Sequence, residues 1–223
     1  MLILGYVATL VAAYLLGSIP TGFLLAKARG VDIRTVGSGN IGATNVFRAL
    51  GKPAGIFVLL MDALKGFAAV ALTLNYYHEL NDLLPRMFPV EAITYPVVRL
   101  NYALLAGVFT ILGHNYTCWL HFKGGKGIAT SAGVYVALAP LAVAIALGTW
   151  ILLFALTRFV SLASIAAAVA LPTVVWLTKD SVTLGVVTTA LGLLAIAKHK
   201  TNIRRLLNGT ENRISFKRKG TAP

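Results

Sequence analysis

Residues 128–157 read IATSAGVYVALAPLAVAIALGTWILLFALT, a stretch of thirty positions without one charged side chain. About 20 consecutive apolar residues are enough for a helix to cross the hydrocarbon core of a bilayer. The whole chain has this character, since 57% of its 223 residues are hydrophobic and only 12% are charged. Such a composition is typical of a membrane-embedded chain. We predict an all-α integral membrane protein with a single domain over residues 1–223.

The number of membrane crossings depends on how residues 128–157 are divided. The other apolar spans lie at about 3–26, 54–75, 102–120, 159–178 and 182–197. The first has no basic residue before its apolar core and no clear cleavage site, so we expect a retained span rather than a signal peptide. One crossing in residues 128–157 gives six in total, whereas two short crossings turning near Pro140 or Gly148 give seven.

The distribution of charge favours seven crossings. Basic residues outnumber acidic ones five to one in residues 27–52 and eight to one in residues 198–219, and residues 121–127 contribute two lysines. By the positive-inside rule these segments face the cytoplasm, while residues 76–101, with three acidic residues and two arginines, form a long loop outside. We therefore predict seven transmembrane helices, an external N-terminus and a basic cytoplasmic tail over residues 198–223. Because the charge is segregated by loop, the net charge of +13 does not indicate nucleic-acid binding.

A short polar run follows the first span, from Gly37 to Asn45, with Arg48 three residues further on. Its glycines let backbone N–H groups converge on one point, and Ser38, Thr44 and Asn45 add side-chain hydrogen-bonding groups. A guanidinium such as that of Arg48 suits phosphate or carboxylate. The run is equally consistent with an anion site and with an ordinary glycine-rich turn.

Two more polar segments are predicted on the same cytoplasmic face. Glycines flank Lys126 just before an apolar helix, so backbone donors and a helix N-terminus could face the same anion as the lysine. The alternative for this segment is simple topological anchoring. His199 and Asn202 share a face if their helix continues, although a basic tail touching anionic lipid is an equal alternative.

A few polar residues fall inside the apolar spans. A lone charge near the bilayer centre costs about 2.5–3.5 kcal/mol on insertion scales, so Asp62 and Lys65, at i and i+3, predict a structural ion pair. His114 could accept a proton or pack as a lone polar residue between helices. Ser161 and Ser164 are expected to cap the helix that begins near Arg158.

Several common catalytic patterns are missing from the sequence. Neither His114 nor His121 is followed at the required offset by the aspartate of a His-x4-Asp acyltransferase dyad. The chain also lacks a carboxylate cluster for two metals, a Cys/His metal spacing and a GxSxG motif. We expect no metal and no cofactor. A phosphate-rich site without a nucleophile suits a substrate that arrives already activated, with the protein supplying positioning and charge stabilisation.

Several motifs in the same order resemble the bacterial membrane acyl-phosphate:glycerol-3-phosphate acyltransferases of the PlsY type. They are Gly17 to Gly22, Gly37 to Asn45 with Arg48, Asp62 with Lys65 and Gly66, Gly113 with His114, Lys123 to Gly127, Ser161 to Ser164, and Ile203 to Glu211. The resemblance covers nearly the whole chain. It implies seven transmembrane helices in the bacterial inner membrane, with an active site that faces the cytoplasm. It also implies transfer of a fatty acyl group from acyl phosphate to the 1-hydroxyl of glycerol 3-phosphate, which yields lysophosphatidic acid and phosphate in the first step of phospholipid synthesis.

The resemblance also assigns roles to residues. It implies catalytic roles for Ser38, Arg48 and Lys126, which with His199 and Asn202 hold glycerol 3-phosphate and phosphate. It implies contacts to acyl phosphate for Thr44, Asn45, Gly124, Gly125, Gly127 and Ser164. The phosphate of glycerol 3-phosphate would help to deprotonate the attacking hydroxyl. Residues 76–101 depart from the pattern of shorter members and are expected to have little catalytic role.

A membrane transporter for phosphorylated metabolites is the main alternative function. It would open the same basic pocket alternately to both sides of the membrane. The sequence shows no matching polar set in the outside loops and no obvious inverted repeat, which favours the enzyme. A phosphotransferase acting on a cytidine-linked lipid precursor would need several aspartates around two metals, and only Asp62 lies within a span.

Overall fold

The computed structural model of the chain describes residues 2–87, 95–179 and 181–214, and all regular secondary structure in these residues is helical. A one-turn 3₁₀ helix, Cys118–Leu120, lies between α5 and α6. The α-helices are α1 (Leu2–Ser18), α2 (Thr21–Lys27), α3 (Ala43–Leu50), α4 (Lys52–Met87), α5 (Tyr95–Asn115), α6 (Ile128–Leu138), α7 (Pro140–Thr157), α8 (Val160–Thr178), α9 (Val182–Lys198) and α10 (Lys200–Leu207).

The apolar helices coincide with the predicted spans. Among the residues that the structure describes, five segments are long and apolar enough to cross a membrane: Val7–Lys27, Lys52–Asn75, Arg99–Leu120, Pro140–Thr157 and Val160–Thr178. Helices α9 and α10, which meet at a bend of 57°, pass the same test as a pair and raise the number to six. The all-helical membrane fold is thus confirmed, while the count of seven and the orientation of the termini stay predictions.

The apolar stretch at 128–157 is divided at its proline. Helix α6 ends at Leu138, and α7 begins at Pro140, whose missing N–H costs nothing at a helix start. At 1.5 Å per residue, the 11 residues of α6 extend only about 16 Å, roughly half of a bilayer core. Helix α6 therefore does not have the length of a complete span.

Helix α4 continues beyond the second predicted span. Residues 76–101 are expected to be a loop, but α4 continues to Met87 and α5 begins at Tyr95, so residues 76–87 and 95–101 are helical. Residues 88–94 lie outside the described part of the chain. The leucines at 80, 83 and 84 and Met87 follow the i, i+3, i+4, i+7 spacing of a helix, a signal that outweighs the charges and prolines of this segment.

The chain forms two compact units, residues 1–141 and 142–223. In the first unit, α4 packs against α3, α5 and α6, and α1 packs against α5. In the second unit, α8 packs against α9, and α10 contacts both. The single-domain assignment stays a prediction.

Glycines permit a very close helix contact in the first unit. A Cβ on Gly133 of α6 would overlap the carbonyl oxygen of Ala63 on α4, and a Cβ on Gly66 would overlap the carbonyl oxygen of Thr130. Helices approach this closely only where neither has a side chain in the way, which is a common device inside membranes. The contact anchors α6 against α4, and with it the glycine segment that precedes α6, Gly124 to Gly127.

Candidate functional site

The loop between α2 and α3 is organised by the side chain of Asn45. This residue is only 2% exposed. Its Oδ1 accepts a hydrogen bond from the backbone N–H of Ser38 at 2.9 Å. Its Nδ2 lies 2.9 to 3.1 Å from the carbonyl oxygens of Ile33, Val36 and Asn40. Asn45 therefore holds the loop against the first turn of α3.

The predicted anion-binding groups of this region project from the organised loop and from α3. Ser38 and Arg48 are exposed, and Thr44 is half-buried. Thr44 and Arg48 are four residues apart on α3, so they share one helix face. The backbone bond to Asn45 ties Ser38 to the same helix. The structure thus brings Ser38, Thr44 and Arg48 to one small helix and its entry loop.

An exposed ion pair fixes the start of the same loop. Arg34 donates to both carboxylate oxygens of Asp32, at 2.7 Å for Nη2. Hydrogen bonds from the side chain and the backbone of Arg34 lower the pKa of Asp32 to about 2. The Arg34 guanidinium also lies 4.9 Å above the ring of Phe23 on α2. These contacts attach the loop to the end of the first span.

The glycine segment before α6 is tied to the end of α5. The N–H of Gly124 donates to the carbonyl of Asn115 at 3.2 Å, and the N–H of Gly125 donates to the carbonyl of His114 at 2.9 Å. Gly127 adopts φ +82°, a left-handed conformation that costs a residue with a side chain roughly 1–2 kcal/mol. Lys126 is half-buried immediately before the helix.

These hydrogen bonds determine which backbone N–H groups of the segment could donate to a phosphate. The N–H groups of Gly124 and Gly125 are used within the protein, so they do not fit the predicted role of direct donors to a phosphate. The first four N–H groups of a helix have no intrahelical partner. The anion donors of this segment are therefore expected from the first turn of α6, beside the ammonium of Lys126.

In the second unit, His199 and Asn202 lie at the bend between α9 and α10. Both are buried, at 3% and 6% exposure. Nδ1 of His199 lies 2.8 Å from the carbonyl oxygen of Ala195, so Nδ1 carries the proton in this contact. The helix does not continue through His199 as the shared-face prediction assumes, but the His199 carbonyl still accepts from the N–H of Ile203 at 2.9 Å. The bend keeps both side chains inside the unit.

Glu211 connects this bend to the start of α8. Its Oε1 accepts hydrogen bonds from Ser161 and Asn202, each at 2.8 Å, and its Oε2 accepts from Arg205 at 2.9 Å. The backbone N–H of Ile214 donates to the carbonyl of Arg158 at 3.0 Å. Burial raises the pKa of Glu211, but the bonds from Asn202, Ser161 and Arg205 together outweigh it and lower the pKa below its ordinary value. Sequence reasoning gave Glu211 no role, although it is the one carboxylate among the basic residues of the tail.

The two serines of α8 have different partners. Ser161 donates to Glu211, whereas the hydroxyl of Ser164 accepts a hydrogen bond from the indole N–H of Trp150 at 3.1 Å. Both serines are 4% exposed. Phe159, which precedes α8, makes no side-chain cap, and the capping role expected for the serines is not what their hydrogen bonds show.

The predicted site residues are thus divided between the units. The first unit contains Ser38, Thr44, Asn45, Arg48, Gly124, Gly125, Lys126 and Gly127, and the second contains Ser164, His199 and Asn202. Within the described residues, no three His, Cys, Asp or Glu side chains come together as a metal site.

Comparison with known proteins identifies the family. The sequence model of the glycerol-3-phosphate acyltransferase family matches residues 7–209. The chain belongs to this family. A glycerol-3-phosphate acyltransferase from Geobacter metallireducens is 50% identical over 205 residues, which are 92% of this chain and 95% of that protein.

Solved structures of the family have the same fold. Two crystal structures of PlsY (YgiH), an integral membrane glycerol 3-phosphate acyltransferase, match this chain with 36% sequence identity. Each match covers 95% of this chain and 96% of the PlsY chain. The TM-score is 0.80 for the glycerol 3-phosphate form and 0.78 for the lysophosphatidic acid form. The resemblance drawn from the motifs is therefore confirmed.

Proposed function

We infer that this protein transfers a fatty acyl group to glycerol 3-phosphate and so forms lysophosphatidic acid. The observation that carries this conclusion is the match, over 95% of the chain, to an acyltransferase whose structures include a glycerol 3-phosphate form and a lysophosphatidic acid form. The family match supports an enzyme over the transporter that the sequence also allowed.

The acyl donor that best suits the chain is an acyl phosphate. In the reaction, the 1-hydroxyl oxygen of glycerol 3-phosphate attacks the acyl carbonyl carbon, the bond from that carbon to the phosphate oxygen breaks, and inorganic phosphate leaves. The hydroxyl proton passes to a phosphate oxygen. The donor is already activated, so the protein needs no nucleophile of its own, in agreement with the missing acyltransferase dyad. Positioning and charge stabilisation are then its main contributions.

The predicted site residues are assigned to the substrate group that each of them would contact. In the first unit, Ser38 and Arg48 are assigned to the acceptor phosphate, and Lys126 with the first turn of α6 is assigned to the leaving phosphate. In the second unit, His199 and Asn202 are the residues assigned to phosphate binding. The proposed contacts to the acyl donor are Thr44 in the first unit and Ser164 in the second. Asn45, Gly124 and Gly125 act through the backbone that they position, as their hydrogen bonds indicate.

An apolar groove between α4 and α6 suits the acyl chain. Its volume is about 340 Å³. It is lined by Leu60, Met61, Ala63, Leu64, Phe67, Gly133 and Val136. Gly133 lies five residues beyond Ile128, which places the groove about 7.5 Å along the axis of α6 from its N-terminus. An acyl phosphate with its head at the start of α6 would place its chain along this groove.

The chain is best placed in the bacterial inner membrane with its site facing the cytoplasm. The uneven loop charge supports this orientation, and with it seven crossings, of which the one at α6 is incomplete or passes through a thinned bilayer. Membrane lipid then surrounds the protein and receives the lysophosphatidic acid that it forms.

The decisive experiment supplies purified protein with glycerol 3-phosphate and, in turn, acyl phosphate, acyl-CoA or acyl carrier protein. We expect lysophosphatidic acid from acyl phosphate alone, and its formation only from acyl-CoA would refute the donor assignment. Arg48→Ala and Lys126→Ala should each abolish turnover while the protein remains inserted in the membrane. Lys52→Ala, which removes an exposed lysine at the start of α4, is the matched control and should retain activity.

A further inference from the structure

Three ionisable side chains are buried together in the first unit. Asp62 and Lys65 lie on α4 and His114 lies on α5, and their exposures are 3%, 6% and 6%. Lys65 Nζ is 2.8 Å from Asp62 Oδ1, which confirms the predicted ion pair. His114 Nδ1 lies 3.6 Å from the same carboxylate oxygen. Charged groups at such depth are paired because the isolated charge is expensive in a low-dielectric environment.

The cluster is attached to the break in the first span. Helix α1 ends at Ser18 and α2 begins at Thr21, so the regular helical bonding of the first span is interrupted between them. Lys65 Nζ donates to the carbonyl of Ile19 at 3.0 Å, and the hydroxyl of Thr117 donates to the carbonyl of Ser18 at 2.6 Å. The position of Lys65 is therefore fixed from two sides, by Asp62 and by the broken span.

The other end of the cluster is packed against the glycine segment. A Cβ added to Gly125 would overlap Nε2 of His114, so the imidazole lies directly against the main chain at this position. The Gly125 N–H also donates to the His114 carbonyl at 2.9 Å. The ring and the backbone carbonyl of His114 thus both contact the backbone that leads to Lys126.

We propose that His114, oriented by Asp62 and Lys65, is a positioning residue that holds the Gly124 to Gly127 segment, and thereby Lys126, against the reacting phosphate. The inference rests on the proposed function, because it concerns how that site is held. Nothing in it requires His114 to touch a substrate. The ion pair would orient the imidazole, the imidazole would set the path of the glycine backbone, and that path would place Lys126 and the start of α6.

The overlap at Gly125 allows a rescue experiment. Gly125→Ala should lower kcat/KM by about 100-fold, the loss associated with a displacement of roughly 1 Å in a catalytic group. His114→Ala should lower kcat/KM on the order of tenfold, because the segment loses its support but meets no obstacle. In the double variant the methyl group introduced at position 125 occupies space vacated by the imidazole. The kcat/KM of the double variant should exceed that of Gly125→Ala by about tenfold.

Gly124 supplies the matched control. A Cβ there would overlap the carbonyl oxygen of His114, which every amino acid at position 114 retains. Gly124→Ala should therefore be impaired like Gly125→Ala but gain nothing from a second His114→Ala change. Additive losses of activity in both double variants would show that the imidazole does not set the path of the glycine backbone, and would overturn the proposal.

Amide exchange in the substrate-free protein gives a second measurement that does not require Gly125→Ala to fold. In His114→Ala, the amides of Gly124 and Gly125 should exchange about tenfold faster, while the amide of Ser38 in the other loop is unchanged. Unchanged exchange at Gly124 and Gly125 would contradict the positioning role. A wild-type protein that makes no lysophosphatidic acid from any donor would instead refute the proposed function.

Discussion

Replacing Asn45 with alanine should open the loop that carries Ser38 without unfolding the membrane helices. The side chain has one oxygen that accepts from Ser38 and two N–H groups that serve the carbonyls of Ile33, Val36 and Asn40. It can therefore supply at most three full hydrogen bonds. At about 1 kcal/mol net for each, the closed loop loses about 3 kcal/mol. This is roughly a 100-fold rise in the opened population.

The assay is hydrogen exchange of the Ser38 and Gly39 amides in substrate-free protein. Both amides are hydrogen-bonded inside the loop, Ser38 to Asn45 Oδ1 and Gly39 to the carbonyl of Val36 at 3.0 Å. Their exchange should become roughly 100-fold faster in Asn45→Ala, while amides in the middle of α4 keep their protection. Asn45→Asp should behave similarly, since it places a second oxygen against three carbonyls.

Asn40→Ala is the matched control for this prediction. It removes a single bond, from the N–H of Gly42 to Asn40 Oδ1 at 2.9 Å, so exchange should rise only about fivefold. Because substrate is absent, a loss of contact between Asn45 and acyl phosphate cannot produce the effect. Full protection of the Ser38 amide in Asn45→Ala would refute the view that this side chain organises the loop.

Two further predictions concern stability. The pKa of Glu211 is lower in the folded protein than its ordinary value of 4.5, so its contribution to stability is fully present above pH 4.5 and lost as the pH falls through the folded-state pKa. The wild-type melting temperature should therefore fall more steeply below pH 4.5 than that of Glu211→Gln, and parallel curves would contradict this account. Gly133→Val should destabilise the first unit by about 1–3 kcal/mol through overlap with Ala63 of α4. Gly148→Val on α7, where a Cβ meets nothing within 4 Å, should have nearly the wild-type melting temperature, and equal losses in both variants would rule out the close contact as the cause.

Periodicity and charge predicted those helices whose position depends only on residues that are close together in the sequence. Apolar runs identified the spans, and of the two positions considered for dividing residues 128–157, the structure uses Pro140 and not Gly148, because a proline disfavours a helical conformation in the residue before it. The extension of α4 through residues 76–87 was missed because charges and a proline concealed a helical spacing of leucines. The bend at His199 had no local signal, since neither glycine nor proline occurs there.

The contacts of the candidate site were less accessible to sequence reasoning. Asn45 resembled a ligand-binding residue, but its amide faces backbone carbonyls of its own loop. Gly124 and Gly125 resembled phosphate donors, but their N–H groups are bonded to α5. In both cases the residue type is compatible with binding a ligand and with bonding to the protein's own backbone. Only the partner of the hydrogen bond in the folded structure distinguishes these two roles.

By itself, the amino-acid sequence determined that this chain is a helical membrane protein with phosphate-compatible segments in three separate places. Hydrophobic length and loop charge act through the bilayer, whose thickness and sidedness do not depend on the details of packing. Tertiary structure decided which polar groups are used to build the protein. That choice depends on helices brought together across long stretches of chain, as where Lys65 meets Ile19, Glu211 meets Ser161, and the ring of His114 lies against Gly125.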